Sequence, residues 1–173
     1  PIEELLGRDV IEAQSDLMKL AIQNKTILIT GAGGSIGSEL CRQVIQHMPK
    51  KIVLLEISEE NLYKINEELL QINIDNIRII SILGSSSNFK LVSKTIKDNN
   101  IDIIFHAAAY KHVPIVELNP IEGIKNNIFS TVAVCEASLE NHIEKLILIS
   151  TDKSVRPTNI MGASKRVAEL VVQ

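Results

Sequence analysis

The sequence predicts an α/β fold built on a doubly wound parallel sheet. Two observations predict it: short, unbroken runs of Ile, Leu and Val recur along the chain, and amphipathic helical patterns separate them. Unbroken apolar runs are typical of parallel strands that helices cover on both faces. The regular alternation of strand and helix indicates right-handed crossover connections and therefore a single open sheet.

The predicted elements follow a lead-in segment, residues 1–24, that ends with a short helical pattern at 15–23. Apolar runs predict strands at 25–30, 51–56, 77–82, 101–108 and 145–150. Helical patterns predict helices at 35–48, 58–72, 88–98, 120–141 and from 159 to the end. Residues 25–173 are thus expected to form one domain. Because the chain stops inside its last predicted helix, we expect a C-terminal substrate domain to lie outside it.

The composition argues against several classes of function. The chain has 173 residues and a net charge of -3, and aromatic residues make up 3%. A nucleic-acid surface needs clustered Lys and Arg, and single strands need aromatic platforms, so we expect no nucleic-acid partner. Cys41 and Cys135 form no metal-ligand spacing, so no metal site is predicted. A membrane span needs about 18 consecutive apolar residues, and the sequence contains no such run and no signal peptide.

The turn between the first strand and the first helix reads "TGAGGSIG", residues 30–37. Gly31 permits a sharp turn, Gly34 permits close approach of the backbone to a pyrophosphate, and Gly37 permits tight packing of the helix on the sheet. Ser35 and Ile36 open a helix whose free N–H groups favour a phosphate. The strand–turn–helix context therefore predicts a Rossmann-like dinucleotide site, with a purely structural turn as the alternative.

Glu56 ends the second predicted strand. An acid in this position can accept hydrogen bonds from the adenosine ribose hydroxyls and repels a 2′-phosphate. Ile57 and Ser58 follow it, so no arginine is present there to attract that phosphate. The pattern favours NAD over NADP as the cofactor. The alternative is a solvated acid at the end of a strand.

Three further segments carry a family resemblance: "HAAAYKHVP" at 106–114, "STDKSVRPTN" at 150–159 and "MGASK" at 161–165. Together with the glycine turn they resemble the extended short-chain dehydrogenase/reductases that act on nucleotide sugars. Within that group the chain is most similar to the long, membrane-associated nucleotide-sugar 4,6-dehydratases of bacterial polysaccharide and glycan synthesis, with UDP-N-acetylglucosamine as the implied substrate. The resemblance extends over nearly the whole chain. Most relatives place a tyrosine where Met161 stands, and members of this branch carry methionine.

The resemblance implies a reaction in which a hydride passes from C4 of the sugar to NAD, water is lost across C5 and C6, and the hydride returns to C6. It assigns Lys153 as the base at C5, Asp152 as the acid at the 6-hydroxyl, and Thr151 as a contact near the 4-oxygen. Lys165 is expected to hold the nicotinamide ribose. Met161 cannot accept a proton, so the 4-hydroxyl proton passes to Asp152, to water or to a group that the sequence does not identify. Adjacent Asp and Lys stabilise each other's charge, and their protonation states do not follow from sequence.

The resemblance assigns binding roles to further residues. Ala107 and Ala108 are expected beside the cofactor, and Ser85 near adenine in place of the acid that many relatives carry. The residues expected to bind substrate are Lys111, His112, Asn127 and Asn159. For Asn127 a structural role within a helix is the alternative, and for Met161 and Lys165 the alternatives are a core methionine and a surface lysine.

The resemblance also implies a cytoplasmic catalytic domain, a parent protein anchored to the inner membrane through segments outside this chain, and a homo-oligomer. Two other functions are compatible with the fold. A nucleotide-sugar 4-epimerase or oxidoreductase would keep the tyrosine and lack the Asp-Lys pair, so the sequence disfavours it. A non-catalytic NAD-binding fragment is the other alternative.

Overall fold

A five-stranded parallel sheet forms the centre of the computed structural model, which describes residues 15–72 and 77–173. The strands are β1 (Thr26–Thr30), β2 (Lys51–Glu56), β3 (Arg78–Leu83), β4 (Ile103–His106) and β5 (Lys145–Leu148). Their spatial order is β3-β2-β1-β4-β5, and each neighbouring pair is parallel. The chain order reverses between β1 and β4, the arrangement of a doubly wound Rossmann-like sheet. The predicted fold class is confirmed.

Helices connect the strands. In chain order they are α1 (Ser15–Ile22), α2 (Ser35–Ile45), α3 (Glu59–Ile72), α4 (Phe89–Asn99), α5 (Val113–Leu118), α6 (Pro120–Ile124), α7 (Ser130–Glu140) and α8 (Ile160–Val172). A π-helical turn, Lys125–Phe129, joins α6 to α7, and a 3-10 turn, Asp152–Ser154, follows β5.

The helices differ from prediction in three places. The helix predicted at 35–48 ends at Ile45, and the chain then turns at Met48, whose φ of 52° is left-handed. The helix predicted at 120–141 is divided by the π-helical turn. Helix α5 was not predicted. Proline has no N–H to lose in the first turn of a helix, and Pro114 lies in that first turn here.

The core explains why the strands are continuously apolar. Alternate residues of a strand face opposite sides of the sheet. Ile27 and Ile29 of β1 therefore pack on one side, with Cys41, Val44, Leu62 and Leu69 of α2 and α3. Leu28 packs on the other side, with Val92, Ile96, Val134 and Ala137 of α4 and α7.

Helix α1 confirms the helical pattern predicted at 15–23, and its last residue, Ile22, is 3% exposed within the first core layer. The end of the lead-in segment thus packs on the sheet, and a domain boundary at residue 24 stays a prediction. The remainder of that segment, residues 1–14, lies outside the described residues. Within the described ranges, every helix is too short or too polar to cross a bilayer.

Candidate functional site

Two adjoining clefts lie where the parallel strands end, at the edge where open α/β sheets bind ligands. The glycine cleft, of about 260 Å³, is lined by residues that include Gly31, Gly34, Glu56, Asn61, Ser85 and Ala108. The lysine cleft, of about 480 Å³, is lined by residues that include Ile36, Lys111, His112, Thr151, Lys153, Met161 and Lys165. Both clefts share Ala107, Ala109 and Tyr110, so a ligand that fills one reaches the other.

The glycine turn accepts no side chain at three of its positions, and at one of them, Gly33, a Cβ would lie 2.8 Å from the Asn61 carbonyl oxygen. Gly31 has a φ of +65°, and a Cβ there would lie 2.7 Å from Ala108 Cα. A Cβ on Gly37 would lie 1.9 Å from the carbonyl oxygen of Gly31. At Gly34 the nearest atom would be 3.3 Å away, so this glycine leaves the approach to α2 open. Gly34 is the N-cap of α2 and offers no side chain to its first N–H groups, which suits a phosphate.

Glu56 is 7% exposed, and backbone N–H groups hold both of its carboxylate oxygens. Gly33 N donates to Oε2 at 3.0 Å, while Ile57 N and Ser58 N donate to Oε1 at 2.9 and 3.0 Å. Hydrogen bonds to a carboxylate are strong, so Glu56 fastens the end of β2 to the glycine turn. A carboxylate offers about four acceptor sites, so Oε2 keeps capacity for one ribose hydroxyl.

Three other predicted cofactor residues, Ser85, Ala107 and Ala108, also line the glycine cleft, whereas Ile36 and Lys165 line the lysine cleft. Ala107 continues the pairing of β4 with β1, because its N–H donates to the Thr30 carbonyl oxygen at 3.1 Å. Ala108 follows, and its small side chain allows the close approach to Gly31. Ser85 presents a hydroxyl that lies 2.8 Å from the Ser87 hydroxyl. The sequence therefore predicted several of the residues that line this cleft.

Lys165 and Met161 form the buried wall of the lysine cleft, with exposures of 6% and 2%. The Lys165 ammonium donates to the Ile149 carbonyl oxygen at 2.7 Å, at the end of β5. Burial lowers the pKa of Lys165, and the negative charge of Glu169 partly opposes that effect. A surface lysine, the alternative stated for Lys165, is thus wrong. Met161 is both a core residue and a cleft residue.

The 3-10 turn after β5 carries the predicted acid and base. Thr151 caps it: its hydroxyl donates to Asp152 Oδ1 at 3.0 Å and accepts from Lys153 N at 3.4 Å. Asp152 and Lys153 are exposed, and Thr151 is half-buried. Thr151 and Lys153 line the lysine cleft with Met161 and Lys165, whereas Asp152 lies between them in the turn without lining the cleft.

Of the four residues predicted to bind substrate, Lys111 and His112 line the lysine cleft and are exposed. The Lys111 ammonium donates to the Ser35 hydroxyl at 3.0 Å and so reaches the start of α2. Asn159 instead caps α8, because its side-chain oxygen accepts from Gly162 N at 2.8 Å. Its contacts therefore support a structural role.

Asn127 is 1% exposed and lies in the π-helical turn. Its side-chain oxygen accepts from Tyr110 N at 2.7 Å, and its amide donates to Tyr110 O at 3.1 Å and to the Ser164 hydroxyl at 2.9 Å. Both amide protons are used, so Asn127 ties the segment shared by the clefts to α8. These contacts support the stated structural alternative, and substrate contact by Asn127 stays a prediction.

Two further residues lie at this edge: His106, for which the sequence favours a structural role at the end of a strand, and Glu169, which sequence reasoning missed. His106 is buried, with Nδ1 2.6 Å from Thr30 Oγ1 and Nε2 3.2 Å from Thr131 Oγ1. Burial, followed by the charge of Lys165, lowers the pKa of His106 to about 3. Glu169 of α8 accepts hydrogen bonds from the Ser150 and Ser154 hydroxyls. The only sequence signal for Glu169 was its spacing of four residues from Lys165, which places both residues on one face of the helix.

The sequence matches the family model described as polysaccharide biosynthesis protein over residues 27–173. It is 45% identical to the capsular polysaccharide biosynthesis protein CapD of Staphylococcus aureus, over 99% of this chain and 29% of CapD. It is 36% identical to a UDP-glucose 4-epimerase of Rickettsia bellii, over 84% of this chain and 42% of that protein.

Among solved structures, Pen from Bacillus thuringiensis superposes with a TM-score of 0.80 and 34% identity, over 87% of this chain and 46% of Pen. The chain spans less than half the length of each of these three proteins. The family match covers the sheet, the glycine turn, the turn after β5 and helix α8. The chain therefore belongs to the polysaccharide biosynthesis protein family, within the extended short-chain dehydrogenase/reductases.

Proposed function

We propose that this chain is the NAD-binding and catalytic portion of a nucleotide-sugar 4,6-dehydratase that acts on UDP-N-acetylglucosamine in polysaccharide or glycan synthesis. The observation that carries the proposal is the turn after β5. It brings Thr151 and Lys153 into the same cleft as Met161 and Lys165. The relation to a capsular polysaccharide biosynthesis protein supports the substrate class.

The glycine cleft suits NAD. Gly34 and the start of α2 would hold the pyrophosphate, and Glu56 would accept from an adenosine ribose hydroxyl through the remaining capacity of Oε2. A 2′-phosphate would meet the carboxylate of Glu56, so NAD is preferred over NADP. Lys165 would hold the nicotinamide ribose at the junction with the lysine cleft. When bound, NAD accepts a hydride from C4 of the sugar and returns it to C6.

The turn after β5 supplies the proton transfers of this reaction. Lys153 removes the C5 proton, which the 4-keto group makes acidic, and Asp152 protonates the departing 6-hydroxyl. Lys153 then returns a proton to C5 when C6 receives the hydride. The Thr151 hydroxyl already donates to Asp152 Oδ1 at 3.0 Å. The 4-hydroxyl can therefore pass its proton to Thr151 while Thr151 passes its own to Asp152. This route needs no tyrosine at position 161, and it leaves Asp152 protonated for the next step.

The test uses the full-length protein with NAD and UDP-N-acetylglucosamine, followed by mass spectrometry of the nucleotide sugar. The expected product is lighter by one water. Asp152→Asn and Lys153→Met should abolish that product, whereas Lys125→Met, which removes an exposed lysine of the π-helical turn, should not. A wild-type protein that binds NAD and leaves the mass of the sugar unchanged would overturn the proposal.

A nucleotide-sugar 4-epimerase is the second candidate, because a relative with 36% identity carries that name. An epimerase changes stereochemistry at C4 and conserves mass, so the same experiment separates the two reactions. In that case the Lys153 variant would retain activity, since epimerisation removes no C5 proton and eliminates no water. Met161 argues against this candidate.

A further inference from the structure

We propose that Glu169 is a positioning residue that holds the turn carrying Thr151, Asp152 and Lys153 at both of its ends. This inference rests on the proposed function, because it concerns the placement of the groups that transfer protons there. Glu169 does not line either cleft. Any effect on the reaction must therefore act through the turn.

One carboxylate oxygen of Glu169 contacts both the segment before this turn and the last residue of the turn. The Ser150 hydroxyl donates to Glu169 Oε1 at 2.5 Å, and the Ser154 hydroxyl lies 2.6 Å from the same oxygen. The Ser154 hydroxyl also lies 2.6 Å from the Thr151 carbonyl oxygen and has one proton to donate. The carboxylate is the stronger acceptor. The serine hydroxyls, followed by Arg166, lower the pKa of Glu169 to about 2, so it is an anion at neutral pH.

Helix α8 brings Glu169 into register with the rest of the site. Met161, Lys165 and Glu169 follow one another at intervals of four residues, so they share one face of the helix. The turn also rests directly on this helix, because a Cβ on Gly162 would lie 2.3 Å from the Lys153 carbonyl oxygen. Helix α8 thus positions Lys165 through its own backbone and positions Lys153 through Glu169.

The remaining contacts of the turn are short-range. Ser154 N donates to Thr151 O at 3.1 Å and Val155 N to Asp152 O at 3.0 Å. These bonds shape the turn without attaching it to α8. If Glu169 is removed, the bond from Lys165 to the Ile149 carbonyl oxygen still attaches the end of β5 to α8, but the turn itself loses its polar attachment. A displacement of about 1 Å at a catalytic group lowers the rate by up to about 100-fold.

The first test measures backbone amide hydrogen exchange of Ser154 and Val155 and needs no substrate. In Glu169→Ala we expect exchange of both amides to accelerate by roughly tenfold or more, since charge-assisted hydrogen bonds are lost. Glu140→Ala is the matched control, because Glu140, the last residue of α7, likewise accepts from a serine hydroxyl, that of Ser93 in α4, at 2.8 Å. Arg166→Ala controls for the ion pair at 2.9 Å. Unchanged exchange in Glu169→Ala would overturn the proposal.

The second test measures steady-state kinetics of the full-length protein. Glu169→Ala should lower kcat by about 10- to 100-fold and leave the KM for the sugar and the Kd for NAD within about twofold. With substrate deuterated at C5, Glu169→Ala should show a larger isotope effect on kcat than wild type, because removal of the C5 proton becomes slower in the variant. Glu169→Gln keeps an acceptor oxygen and should recover part of kcat. Equal loss of kcat in Glu169→Gln, or loss of NAD binding in step with thermal stability, would indicate a structural role and overturn the proposal.

The two failures are distinguishable. If the wild-type protein produces no dehydrated sugar, the proposed function is wrong, and the exchange data still decide whether Glu169 holds the turn. If wild type is active and Glu169→Ala is equally active, Glu169 is not a positioning residue.

Discussion

Replacing Glu56 with glutamine should weaken both the fold and cofactor binding. The glutamine oxygen can still accept from Ile57 N and Ser58 N, but its NH2 group then faces Gly33 N, so two donors oppose each other. The loss of one hydrogen bond to a charged acceptor is worth about 1.5–3 kcal/mol. We expect the free energy of unfolding of Glu56→Gln to fall by about that amount.

The same substitution should also weaken NAD binding, because Gly33 belongs to the glycine turn. If the turn relaxes in the free protein, restoring it opposes NAD binding. An energy of about 1.5–3 kcal/mol corresponds to a roughly 10- to 100-fold weaker Kd, since each 1.4 kcal/mol is a factor of ten. That factor is an upper limit, reached when all of the lost energy opposes binding.

Urea unfolding followed by circular dichroism and calorimetric titration with NAD measure the two effects. Glu136→Gln is the matched control, because Glu136 is an exposed acid in the middle of α7 and its replacement makes the same charge change. Surface substitutions of this kind usually stay within about 0.5 kcal/mol. If Glu56→Gln and Glu136→Gln unfold with equal free energies, the account of Glu56 as a fastening between β2 and the glycine turn is refuted.

Three further predictions follow from the same edge of the sheet. Gly37→Ala should lose its native circular dichroism, because the added Cβ would lie 1.9 Å from the Gly31 carbonyl oxygen. In Gly34→Ala the added Cβ would lie 3.3 Å from that oxygen, so this variant should fold but should lose NAD binding in a titration. Below pH 6.5 the unfolded chain protonates His106 and the folded chain does so only near pH 3, so unfolding free energy should fall by about 2–3 kcal/mol between pH 6.5 and 4.5. In urea unfolding, His106→Asn should not show this fall in unfolding free energy between pH 6.5 and 4.5. An equal fall in His106→Asn and in wild type would contradict the prediction. Because burial lowers the pKa of Lys165, stability should rise as the pH approaches 10.5, and Lys165→Met should abolish that rise together with enzymatic turnover.

Most of the fold was predictable because buried parallel strands must be apolar on both faces. All five predicted strands are confirmed over the described residues, with shifted ends. The strand predicted at 101–108 ends at His106, because Ala107 adds one last hydrogen bond to Thr30 and Ala108 then approaches Gly31. Helix α5 could not be recognised, since Pro114 is equally compatible with a loop and with the first turn of a helix.

Site residues were predictable where their role depends on the local backbone alone. Gly31 and Gly37 follow from sterics within the turn, and Glu56 from its position at the end of β2. The contacts of Asn127 and Glu169 could not be predicted, because each depends on the distance between segments that are far apart in sequence. Asn127 bonds to Ser164, 37 residues later, and Glu169 to Ser150, 19 residues earlier.

The π-helical turn at Lys125–Phe129 constrains the length of the chain as well as its composition. A π-helical turn holds one residue more than an α-helical turn, so a deletion of one residue there would leave a continuous α-helix. Each residue of an α-helix contributes a rotation of about 100°. Because Val134 and Ala137 anchor α7 in the core, the deletion would rotate α6 rather than α7. Natural variation in this family should therefore tolerate substitutions in the turn more readily than a change in the number of its residues.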